Sequence, residues 1–116
     1  MKRIFPFFIA VSIVMTFSGG SAFAASADEN YKWYCAQCHG SGGKGDGINS
    51  KDLPVTPRNH TNPADMKKLT DGDIENVIKQ GGAATSKSTT MPPFGSTITG
   101  DEIKEMVKYL HKLCNC

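Results

Sequence analysis

The sequence predicts an all-α domain of three to four short helices, and three observations carry that expectation. Apolar residues recur at spacings of three and four in segments that begin with capping residues. No stretch alternates apolar and polar residues as a strand would. The intervals between the periodic segments are rich in glycine and proline, which break both kinds of regular structure.

The chain begins with a segment of a different kind. Lys2 and Arg3 precede a mostly apolar stretch over 4–17, and Ala22-Phe23-Ala24 is a small-x-small ending. This pattern reads as a secretory signal peptide over 1–24, leaving 25–116 as the mature domain. Cleavage is expected after Ala24, with Ala27 as the second choice. Pro6 and Ser12 interrupt the apolar stretch, which falls short of the roughly 18 to 20 residues a spanning helix needs, so no membrane span is expected after cleavage. No cysteine follows closely enough to suggest a lipoprotein anchor.

Loss of Lys2 and Arg3 takes the 13 basic residues to 11, against 11 acidic ones. A near-neutral domain implies neither nucleic acid nor an anionic membrane surface as a partner. About 90 residues remain, with little apolar surface to bury, so the core needs a supplement.

The helices follow in order. Asp28 is a candidate cap for a helix over 28–38, in which Tyr31, Tyr34 and Cys35 cluster. The glycine-rich run 40–47 ends it; this run is no phosphate loop, because Lys44 is followed by Gly45 and no strand precedes it. Pro54 and Pro57 mark 48–62 as an irregular loop, and 63–68 reads as a turn of helix. Thr70 or Asp71 caps a middle helix with Ile74, Val77 and Ile78 on one face, stopped at Gly81-Gly82. A second loop, 83–98, contains Met91-Pro92-Pro93-Phe94-Gly95, whose prolines stiffen it. Thr99 and Glu102 form a capping box for a last helix with Ile103, Met106, Val107 and Leu110 as its apolar stripe. There is no internal repeat and no low-complexity tail.

The chemistry centres on Cys35-Ala36-Gln37-Cys38-His39. Two thiols three apart on one helical turn can form thioethers with both vinyl groups of one porphyrin, and the adjacent imidazole can ligate its iron. A thioredoxin-like pair would follow a strand, which is missing here. A zinc site would need a second ligand pair, and Cys114 and Cys116 are separated by one residue only. A plain disulfide would leave His39 and Met91 unexplained.

For the second axial position Met91 ranks first, because its prolines present it from an extended loop. Met66 and Met106 read as packing residues, and Met15 leaves with the signal. His60, expected in a polar loop open to solvent, ranks second, and His111, expected on the exposed side of the last helix, third. A thioether ligand favours ferrous iron and raises the reduction potential. Two filled axial positions bar substrates from the metal.

These residues, in this order, resemble class I monohaem cytochrome c, mitochondrial-type and bacterial, over the whole mature chain. The resemblance implies an all-α, small cytochrome c fold with three to four short helices wrapped around one covalently attached haem c. It implies an electron carrier between periplasmic redox partner proteins rather than an enzyme, and a periplasmic or secreted location. It implies contact between Tyr31 and Tyr109, and a proline carbonyl, from Pro54 or Pro57, that fixes the His39 tautomer. Arg58 is a candidate partner for a propionate, and Lys44, Lys51 and Lys87 for steering a redox partner.

Two rival readings are a haem-bearing subunit of a larger oxidoreductase and a haem-based ligand sensor in which Met91 dissociates. No distal His/Arg pair for peroxidase chemistry accompanies the motif. Leu113-Cys114-Asn115-Cys116 departs from the family. An internal disulfide there would be strained, so an intermolecular disulfide through Cys114 or Cys116 is open, as is a functionless terminal one. Asn59-His60-Thr61 fits a glycan acceptor pattern, a common match of little weight.

Overall fold

Hydroxyl caps open each of the longer helical runs. In the computed structural model, which describes residues 24–116, the first cap is Ser26 rather than Asp28. The Ser26 hydroxyl accepts from the Glu29 N–H at 3.3 Å, and the Glu29 carboxylate accepts from the Ser26 N–H at 2.9 Å. Asp28 is drawn elsewhere, to Lys32 one turn on at 2.6 Å and to the Tyr109 hydroxyl at 3.3 Å. The signal segment expected over 1–24 lies outside the described residues except for Ala24.

Helix α1 (Ala27–Asn30) runs into a π turn (Tyr31–Cys35) and then α2 (Ala36–His39). The Ala36 N–H donates to the Tyr31 carbonyl, five residues back. The expected single helix therefore contains one wide turn immediately before the two-thiol motif. A short 3-10 turn (Ser50–Asp52), α3 (Pro63–Met66), α4 (Asp71–Ala84) and α5 (Gly100–Cys114) follow, and no strand occurs among the described residues.

Thr70 caps α4 with Asp73, as one of the two expected caps. Gly81, at φ 80° and ψ 169°, then breaks its regular geometry. A Cβ there would stand 2.9 Å from the Met91 carbonyl oxygen and from the Pro93 nitrogen, so glycine permits the loop 83–98 to lie against the helix end. The loop also satisfies carbonyls of α4 just ahead of this break. The Phe94 N–H donates to Ile78 at 2.9 Å and the Gly95 N–H to Lys79 at 3.0 Å.

Helix α5 packs against α1 and α4. Its expected stripe of Ile103, Met106, Val107 and Leu110 is buried, together with Tyr31, Met66, Ile74, Ile78 and Ile98. Each such side chain contributes about 1.5–3 kcal/mol on burial. Tyr31 and Tyr109 meet with ring centroids 5.2 Å apart, as the resemblance implied.

Thr99 and Glu102 form the expected box, with the Glu102 carboxylate accepting from the Thr99 N–H at 2.9 Å and from its hydroxyl at 2.8 Å. Those bonds hold the Glu102 carboxyl below its ordinary value of 4.5. A depressed carboxyl adds stability above its unfolded pKa, and that stability is lost as pH falls below 4.5 toward the folded value. Glu102→Gln is expected to be less stable at neutral pH and to lose less on acidification, read from urea midpoints. Equal acid losses in both proteins would contradict this.

The chain end takes one of the two arrangements left open by the sequence. Asn115 takes the left-handed conformation, φ 51° and ψ 46°, and the Cys116 N–H donates to the His111 carbonyl at 3.1 Å. This turn brings the Cys114 and Cys116 Cα atoms to 5.2 Å, and the structure joins their sulfurs within the chain. The two sulfurs meet because the residue between the cysteines leaves helical geometry.

Candidate metal centre

The glycine run after α2 does more than end a helix. The carbonyls of Gln37, Cys38 and His39 accept from the N–H groups of Asn49 at 2.9 Å, Gly47 at 3.0 Å and Gly45 at 2.7 Å. A Cβ on Gly47 would collide with the Gln37 carbonyl, so glycine is what lets this loop clamp the motif.

Cys35, Cys38 and His39 line a cavity of about 540 Å³. Ile74, Val77 and Ile78 of α4 and Met106 and Leu110 of α5 supply apolar wall, and Leu53 and Val55 come from the long loop. Met91 and Phe94 line it from the second loop, and Tyr34 pairs with Phe94 at 5.9 Å between ring centroids. Both motif thiols are free. Burial pushes the Cys35 thiol up to about 12, with Cys38 adding to the effect. A protonated thiol is the opposite of what a redox-active Cys-x-x-Cys needs.

The His39 Nδ1 lies 2.9 Å from the Arg58 carbonyl oxygen. A carbonyl only accepts, so Nδ1 carries the proton and the lone pair of the neutral ring is on Nε2. The partner is Arg58, not Pro54 or Pro57. The Pro57 carbonyl is packed against Gly45, one residue short of the position that meets His39. Burial lowers the His39 pKa, partly offset by the Arg58 hydrogen bond. The Arg58 side chain also borders the cavity, with one guanidinium nitrogen 3.4 Å from the Asp65 carbonyl.

His60 is not the solvent-exposed loop residue expected. It is 9% exposed and lies flat on His39, with centroids 4.2 Å apart and planes at 17°. Its Nδ1 is hydrogen-bonded with the Tyr31 hydroxyl at 3.0 Å. Burial, reinforced by His39 and Arg58, pushes its pKa down to about 3, so the ring is neutral at neutral pH. In this arrangement the two rings lie face to face, and their nitrogens do not point at one another across a shared site.

His111 lies away from the cavity, half-buried rather than exposed, with Nε2 2.7 Å from Asp71 Oδ1. Met66 and Met106 border the cavity but are each 1% exposed in the core, whereas Met91 is half-buried on its loop. Lys87 borders the cavity; Lys44 and Lys51 are exposed and do not. The Asn59 Oδ1 accepts from the Thr61 N–H at 2.9 Å, closing a local turn over Asn59-His60-Thr61.

Sequence reasoning missed the Arg58 carbonyl, the His39–His60 stack and the Asp71–His111 pair. None has a periodic signal, since each joins residues on separate elements.

The model for the family described as cytochrome c oxidase, cbb3-type, subunit III matches residues 22–110. The solved structure of KustC0563 c-type cytochrome resembles this chain with a TM-score of 0.63 and 22% identity, covering 77% of this chain and 98% of that one. A second similar structure is the Kuenenia stuttgartiensis reducing HAO-like protein complex Kustc0457/Kustc0458, with a TM-score of 0.58 and 29% identity. That likeness covers 78% of this chain and 43% of the other. No curated protein sequence matches the chain.

Proposed function

The chain belongs to the cytochrome c oxidase, cbb3-type, subunit III family of c-type cytochrome domains, and from that membership we propose that it is an exported single-electron carrier bearing one haem c. Haem-based electron transfer is the work of such a domain. One observation carries the finer reading: both motif thiols, the tautomer-fixed His39 and Met91 line the same largely apolar cavity.

The residues fit the group. Cys35 and Cys38 would hold the porphyrin by thioethers, and His39 Nε2 and the Met91 sulfur would ligate its iron. When bound, haem c supplies a one-electron couple between ferric and ferrous iron. The Arg58 carbonyl holds the proton on His39 Nδ1 and so raises the basicity of Nε2. His60 restrains the His39 plane by stacking. The aliphatic wall from α4 and α5 keeps water from the ligands. With two protein ligands held in place, the bound group would change its geometry little between oxidation states, which would suit fast transfer. Lys87, exposed and bordering the cavity, is the best placed of the three lysines to meet a redox partner protein.

An exported carrier needs no anchor, and no helix among the described residues is long and apolar enough to cross a membrane. Cleavage after Ala24 keeps Ser26 as a cap, whereas cleavage after Ala27 would remove it. The family description and the complex named above favour a second reading, a haem-bearing subunit of a larger oxidoreductase.

The test is the purified secreted protein. Its intact mass is expected to show one covalent haem and an N-terminus at Ala25. Carbon monoxide added to the reduced protein is expected to leave the spectrum unchanged; rapid, complete binding would replace the carrier with a ligand sensor. Copurification with a stoichiometric enzyme subunit would favour the second reading.

A further inference from the structure

A second cluster lies at the end of α5, among residues that do not border the cavity. Ligand atoms of His111, Cys114 and Cys116 lie within 4.8 Å of one another. His111 and Cys114 are three apart on one helix face, and the left-handed Asn115 folds Cys116 back toward them. The His111 Nε2 meets Asp71 Oδ1 at 2.7 Å. A carboxylate accepts, so Nε2 carries the proton and the neutral ring's lone pair is on Nδ1. That Nδ1 is buried and has no hydrogen-bond partner. A carboxylate on one ring nitrogen and a free lone pair on the other is how protein imidazoles are prepared for a metal.

The Cys114–Cys116 disulfide does little as a staple. Its two residues are separated by one, so the closed ring removes little freedom from the unfolded chain. Joined to each other, the sulfurs offer no thiolate.

We propose that reduction of this disulfide opens a redox-gated site for a thiophilic d10 cation, with Cys114, Cys116 and His111 Nδ1 as ligands and Asp71 orienting the imidazole. A dithiol donor supplies the two electrons: its own S–S bond forms as the Cys114–Cys116 bond breaks, and its two protons pass to the freed sulfurs. Both protons leave to solvent when the cation binds. Two thiolates and an imidazole suit Zn²⁺ or Cu⁺, with a further position open to water or a partner. A disulfide oxidant reverses the step: its own S–S bond breaks as the Cys114–Cys116 bond re-forms, it takes up the two electrons, and two protons from solvent, to become a dithiol, and the cation is expelled.

The test uses the haem-loaded protein, reduced with dithiothreitol, desalted without oxygen and titrated with Zn²⁺ or Cu⁺ against a chromophoric chelator. One cation per chain is expected, with affinity at least about 100-fold above that of the oxidised protein and with unchanged haem bands. Retention of Zn²⁺, Cu⁺ or either supports the site and names its cation. His111→Ala and Cys116→Ser are expected to abolish tight binding. Asp71→Asn keeps all three ligands and is expected to weaken it by about 10- to 100-fold, the cost of losing such an orienting carboxylate. Circular dichroism reports whether each variant is folded. Absence of binding to the reduced protein would overturn the proposal. So would equal binding by the oxidised protein or by folded, reduced His111→Ala.

Discussion

Replacing Cys35 and Cys38 together by alanine is expected to give a chain that carries no covalent haem and holds no fixed tertiary structure. The cavity these residues line is about 540 Å³. Left unfilled, that space deprives its apolar lining from α4, α5 and the loops of packing partners. Small domains have only about 5–15 kcal/mol of stability in total, so the unfilled fold collapses instead. Tyr31, Ile74 and Ile78 would then lose their places, because they pack in the core that continues into the cavity wall. Near-ultraviolet circular dichroism and amide NMR dispersion of the exported double variant check this. A haem-free variant with native dispersion would refute it.

Met91→Ala is expected to remove the near-infrared thioether-to-ferric-iron band and to lower the reduction potential by on the order of 0.1 V, within the roughly 0.8 V span that axial ligands control. The loop itself should stay in place, since its N–H groups at Phe94 and Gly95 still meet the α4 carbonyls. The reduced variant should also bind carbon monoxide, which the parent should not. His60→Phe, which keeps a ring against His39, is the control and should retain the band. Loss of the band in His60→Phe with retention in Met91→Ala would transfer the ligand role to His60, against the stacked geometry.

Much of this was legible in one dimension, and the reasons differ by residue. Thr99 with Glu102 was readable as a capping box because that is a local code, closed within four residues; at the middle helix the residues offered Thr70 or Asp71, and the box with Asp73 shows that Thr70 is the cap. The α5 stripe was readable because helical periodicity repeats in sequence. Ser26 was passed over for Asp28 because both are good caps, and the choice turned on Lys32 and Tyr109 competing for Asp28. The π turn at Tyr31–Cys35 has no sequence signature of its own.

The site divides along the same line. Cys35, Cys38 and His39 announce themselves by spacing, and Met91 by the prolines behind it. His60 carried no such mark. Its burial depends on a loop folding back until its N–H meets the Gly43 carbonyl at 2.6 Å and its ring meets His39, contacts that span many residues. The His39 partner shifted from a proline to Arg58 for a similar reason, since a displacement of one residue along a loop changes which carbonyl points inward.

The all-α class, a helix start at Thr99, another at Thr70 or Asp71, and the thiol-imidazole motif are readable from residue order alone, because each rests on interactions within about one helical turn. Long-range folding supplies the rest: Arg58 fixes the His39 tautomer, His60 stacks beneath His39 rather than facing solvent, and Asp71 reaches His111. Those contacts join residues 19, 21 and 40 positions apart, respectively. Their formation depends on where the chain's turns bring separate elements, and local sequence patterns do not encode that.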